Sequence, residues 1–90
     1  DTVFEFSLPT VEERYDILRL YTERLPLKLE ADLKEIARRT EGLSGRDLRD
    51  RILKESLHTA ITDGASTITS EIVHRVLDKI QPKNRPTYTI

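Results

Sequence analysis

No cysteine occurs among the 90 residues, which excludes disulfides and thiolate metal sites. That suits an intracellular protein. No apolar run approaches the roughly 20 residues needed to span a bilayer. Neither sign of charge dominates: 15 basic and 16 acidic residues leave a net charge of -1. A chain with so little positive field has no electrostatic footprint for nucleic acid. Gly-rich sequence ending in Lys-Ser or Lys-Thr is absent, so no phosphate loop is encoded. Catalytic groupings are absent too. His58 and His74 are far apart, lack metal-ligand spacing, and are expected at the surface. No nucleophile elbow accompanies the serines. The chain starts at Asp1-Thr2-Val3 rather than Met, so the absence of a signal peptide carries no weight.

What remains is 37% hydrophobic and 34% charged, the balance of one small soluble domain with a modest core. Val3-Phe4-Glu5-Phe6 alternates weakly and is β-prone, but one strand of four residues has no partner in this chain. It is expected to be an extended arm over residues 1–9, or a strand of a sheet outside the chain. Thr10 and Glu13 have capping-box spacing and begin a first helix, expected to reach about Arg24 before Pro26 stops it. Val11, Tyr15, Leu18, Tyr21 and Leu25 form its buried stripe, with Ile17 and Leu20 to the side.

Leu33, Ile36 and Ala37 mark a second helix over residues 32–40, closed by Gly42. Ser44 and Asp47 cap a third, whose face is Leu48, Ile52, Leu53, Leu57, Ala60 and Ile61, closed by Gly64. Thr69 caps a fourth, with Ile72, Val73, Val76, Leu77 and Ile80 inward and Pro82 at its end. The fold class is therefore all-α. Four amphipathic helices make a domain over residues 10–82, followed by an exposed tail over 83–90.

The second and third helices could be read as a helix–turn–helix carrying Arg46, Arg49 and Arg51, but Asp47, Asp50 and Glu55 share that recognition helix and would meet phosphates unfavourably. Glu41-Gly42-Leu43-Ser44-Gly45-Arg46-Asp47-Leu48 has two readings. It is either a tight turn with a well-capped helix, or a place where bare backbone approaches a planar or anionic ligand.

Three stretches in this order resemble the C-terminal helical lid of AAA-family ATPases, the group with proteasomal ATPases, membrane-anchored AAA proteases and archaeal unfoldases. They are Phe4 to Thr10 leading into Glu13–Thr22, then Leu33 to Leu48 with its Ser-Gly-x-Asp-Leu element, then Ile68-Thr69-Ser70-Glu71 with Leu77 and Ile80. The resemblance implies a lid that covers the purine of ATP or ADP. It follows a larger α/β ATPase domain that holds the phosphates and magnesium, and this chain is then a piece without catalytic residues of its own. Ile17 and Tyr21 would flank the adenine, and Gly45 and Arg46 would approach its ribose and phosphate side. Implied partners are that α/β domain, neighbouring subunits of a ring, and a protein substrate to be unfolded, all in the cytoplasm.

Two positions depart from the family. Arg46 stands where a small residue is common, so it could fork phosphate oxygens or point to solvent. Tyr21 stands where His is common; a phenol ring packs on a purine but changes the hydrogen bonding. The alternative to a nucleotide lid is a free-standing helical protein-interaction module, in which Ile17 and Tyr21 contact a partner protein.

Overall fold

The computed structural model describes residues 7–80. The proposed strand at Phe4–Phe6 and the tail over 83–90 lie outside the described residues. Helix α1 (Val11–Thr22) starts as its sequence requires. The Thr10 hydroxyl accepts from the Glu13 N–H at 3.2 Å, and the Glu13 carboxylate accepts from the Thr10 N–H at 2.9 Å. It ends one turn before Pro26, where the Arg24 and Leu25 N–H groups donate three residues back to Tyr21 and Thr22. Strand β1 (Leu29–Glu30) follows, then α2 (Leu33–Arg39), capped by the Asp32 carboxylate on the Lys34 N–H at 2.9 Å.

The third helical rod begins as α3 (Gly45–Asp47), passes through a π-helical stretch (Leu48–Leu53) and continues as α4 (Lys54–Thr62). Strand β2 (Ile68–Thr69) pairs parallel with β1, Leu29 opposite Ile68, and leads into α5 (Ser70–Asp78). Counting the rod once, the described residues hold four helices with one minimal β pair, an all-α domain as expected. Gly42 and Gly64 take φ of 92° and 73°, the left-handed positions that close α2 and α4.

The core is one cluster: Leu18 from α1, Ile36 and Ala37 from α2, Leu43 from the turn after α2, Leu48, Ile52, Leu53 and Ala60 from the rod, Ile68 from β2, and Ile72, Val73, Val76 and Leu77 from α5. The stripes of α2 and α5 match expectation. The stripe of α1 is narrower, because only Leu18 is fully enclosed while Val11 is 37% exposed at the helix start.

On the rod, Ile61 is turned out to solvent at 60% exposure, and Ser56 takes a fully buried position instead. The π-helical stretch accounts for this phase. Residues five apart lie about 140° around an α-helix, so Leu48 and Leu53 would diverge in one. The wider turn, with the Lys54 N–H donating five residues back to the Arg49 carbonyl, brings both onto the core and hands the inner face on to Ser56 and Ala60.

Candidate functional site

The side chains singled out by sequence lie on α1 and at the start of the rod, two elements packed against each other. Ile17 is half-buried, one residue before the enclosed Leu18, and faces the rod's first residue. A methyl group placed on Gly45 would stand 3.7 Å from Ile17 Cδ1, so the two are in direct apposition. A shallow cleft of about 380 Å³ opens beside them, lined by Ser7, Pro9, Glu13, Asp16, Ile17 and Gly45. One wall is α1, one is the rod, and the arm that enters the domain forms the third.

Gly45 is not required by the fold. Its backbone lies outside the left-handed region, where only Gly42 and Gly64 are found among the described residues. A Cβ would meet nothing but Ile17, at ordinary van der Waals distance. Neither strain nor a clash therefore calls for glycine here. What its bareness does is leave the cleft floor open.

Tyr21 follows Ile17 by one helical turn but does not line this cleft. Its ring is half-buried against the core, and the Arg49 guanidinium carbon sits 6.0 Å from its centroid, at the edge of cation–π range. Arg49 is held there by its neighbour: Nε and Nη2 donate to the Asp50 carboxylate at 2.8 and 3.3 Å. That hydrogen bond, with the Coulombic attraction behind it, raises the Arg49 pKa. The Arg49 hydrogen bond lowers the Asp50 carboxyl below its ordinary value, with Lys54 and Arg46 adding smaller attractions. Arg46 is exposed and belongs to this charged surface of the rod. Ile17 and Gly45 are thus brought together, Tyr21 is set one turn behind them, and Arg46 points outward beside them.

The start of the rod is already electrostatically satisfied. Ser44 Oγ accepts from the Asp47 N–H, and the Asp47 carboxylate accepts from the Ser44 N–H, both at 3.1 Å. Glu13 and Asp16 add negative charge at the cleft rim. Such a surface disfavours a phosphate and suits an uncharged flat group.

The sequence missed Arg14. It is 5% exposed and donates from Nε to the Ala37 carbonyl at 2.8 Å and from Nη1 to the Pro9 carbonyl at 2.9 Å. Its place on α1, next to Leu18 by helical spacing, was the available signal. His58 is exposed, and His74 Nε2 lies 3.4 Å from a Glu35 oxygen at the surface, so the two histidines do not meet. Among the described residues no helix is long and apolar enough to cross a membrane.

The described residues thus form a small helical domain with an open cleft between its first helix and a Ser-Gly-Arg-Asp-Leu helix start. Residues 11–84 match the family model described as the PRS2 AAA+ lid C-terminal domain, and the chain belongs to that family. It is 41% identical over 81 residues to a 26S proteasome regulatory subunit homolog of Methanocaldococcus jannaschii, an overlap of 90% of this chain and 22% of that protein. It is 34% identical over 86 residues to the proteasome-activating nucleotidase of Archaeoglobus fulgidus, covering 96% of this chain and 21% of the relative. The ATP-dependent zinc metalloprotease FtsH 2 of Salinibacter ruber is 35% identical over 80 residues, 89% of this chain and 12% of the relative. The chain therefore spans about a fifth of the length of the first two relatives and less of the third.

Proposed function

We propose that this chain is the nucleotide-covering lid of an ATP-driven protein-unfolding machine, closing over the purine with Ile17 and Gly45. The observation that carries it is the bare Gly45 backbone beside Ile17, a position where neither φ nor packing asks for glycine. A flat base laid on Ile17 would occupy the space that a side chain at Gly45 would take. Family membership supports the same role.

The residues present fit the base and ribose of ATP or ADP rather than its phosphates. Glu13, Asp16 and Asp47 repel a triphosphate, so the phosphates and magnesium belong on a separate α/β domain. Bound there, the nucleotide supplies the energy of the cycle; Ile17 and Gly45 exclude water from its base. Arg46, exposed beside Gly45, would have to turn from solvent to reach a phosphate edge. Tyr21, with the Arg49 guanidinium carbon 6.0 Å from its ring centroid, would support Ile17 from one turn behind the cleft. The rest of the helical unit acts as a lever, since a rigid body converts small shifts at a nucleotide into rotation relative to its neighbours. Neighbouring subunits of a cytoplasmic ring and an unfolding protein substrate are the partners this implies.

The test is Gly45→Leu in the full-length protein. The leucine fills the cleft, so nucleotide affinity falls by about tenfold or more, about 1.4 kcal/mol, with the fold intact. Unchanged affinity together with loss of a protein partner would instead establish the interaction-module alternative. The 90-residue chain by itself is expected to bind ATP with a dissociation constant of about 1 mM or weaker, about -4 kcal/mol or less favourable. It is expected not to turn ATP over. Hydrolysis by the purified chain above a buffer control would overturn the division of labour.

A further inference from the structure

Arg14 is the one charged side chain that the described residues bury. An enclosed guanidinium is costly unless its donors are used. Here they run in two directions. Nε reaches the Ala37 carbonyl in the last turn of α2, where carbonyls lack intrahelical partners and the helix dipole is negative. Nη1 reaches back to the Pro9 carbonyl of the arm. The same Ala37 carbonyl accepts from Thr40 Oγ1 at 3.3 Å, and that hydroxyl also donates to the Ile36 carbonyl at 2.8 Å. Thr40 is itself buried and immediately precedes the turn that delivers Ser44 and Gly45. One chain of hydrogen bonds therefore runs from the arm, through α1, to the end of α2 and the turn that begins the rod. Among the described residues its hydrogen-bond partners are these two backbone carbonyls of Ala37 and Pro9, whose dipoles face the charge.

We propose that Arg14 is a positioning residue that locks the entering arm to α2, so that arm, α1 and the Gly45 turn move as one body. Among the described residues the Arg14–Pro9 hydrogen bond is the one that ties residues 7–9 to the helices, so that without it this segment could swing about Thr10. With it, any displacement of the arm is imposed on both walls of the cleft. Lysine cannot replace it, because one ammonium on a flexible stem lacks the planar fork that serves two carbonyls in different directions. The lock is a property of this chain; only its consequence, that arm movement opens or closes a purine site, rests on the lid reading.

The experiment is solution NMR of the 90-residue chain. In the wild type the Arg14 Nε–H exchanges about tenfold or more slowly than that of the exposed Arg19. Residual dipolar couplings of the Ser7 and Leu8 amides fit the alignment tensor set by the helices. In Arg14→Lys the couplings of Ser7 and Leu8 leave that tensor while those of α4 and α5 stay. Either an Arg14 Nε–H as labile as that of Arg19, or arm couplings in Arg14→Lys that match the wild type, overturns the proposal. Should Arg14→Lys fail to fold, the wild-type exchange rate alone decides. The Gly45→Leu measurement in the full-length protein separates the two ideas. Unchanged nucleotide affinity there, with the arm still locked in the wild-type 90-residue chain, removes the lid reading and leaves the lock standing.

Discussion

Ser56 is fully buried, and its hydroxyl has no hydrogen-bond partner among the described residues. An unsatisfied buried hydroxyl costs about 1–3 kcal/mol of desolvation. Alanine removes the polar atom and is the better helix former. Ser56→Ala is expected to raise stability by about 1 kcal/mol in urea denaturation. Asp50 makes a prediction of a different kind. Its carboxyl is held below the ordinary value of 3.8, chiefly by the Arg49 hydrogen bond. A depressed folded-state pKa contributes stability that is present above the unfolded value and lost as pH falls through the folded one. The window therefore lies below pH 3.8. The pair is exposed, so the thermal midpoint should hardly respond. The carboxyl resonance itself should titrate below 3.8 and move upward in Arg49→Gln.

Each helix start is written in three or four residues, and the caps belong to the element scale. Thr10, Ser44 and Thr69 accept the backbone N–H that their spacing foretells, and Asp32, read as the first residue of the second helix, proves to be its cap. Ser44→Ala is expected to cost about 1 kcal/mol by chemical denaturation, leaving the Asp47 N–H without its side-chain acceptor while the Asp47 carboxylate keeps the backbone N–H of residue 44. The elements that escaped the sequence are those with no local signature. The π-helical stretch has the composition of an ordinary amphipathic helix. It forms because Leu48, Ile52 and Leu53 all find cover on α1, α5 and the rod itself. Ile61, apolar and in helical phase with Leu57, was assigned inward and is exposed because the wider turn gave the inner face to Ser56 and Ala60.

At the scale of the whole molecule, two short strands close the domain. Leu29 and Ile68 are opposed although 39 positions separate them, and Ile68 is completely enclosed. Two-residue strands carry no alternation to read, so their pairing follows from the helices that bring them together. Ile68→Ala is expected to cost about 2–5 kcal/mol, lowering the thermal midpoint by about 8 °C or more in a domain of this size. The candidate site divides in the same way. Ile17 and Gly45 could be paired in advance only through family resemblance, since no spacing relates positions on separate elements. That Tyr21 would be engaged by Arg49, and Arg46 turned outward, depends on how the rod winds.

Helix number, order, caps and the two left-handed glycines were set by residues within a turn or two of one another, because periodicity and capping are local interactions. Arg14 is the opposite case. As sequence it is one of several surface-type arginines, and it is buried because the arm and the end of α2 converge on it with carbonyls to offer. Which polar groups go inside, where a helix widens, and which side chains share a cleft were decided by packing, since each depends on partners that only the folded chain brings within reach.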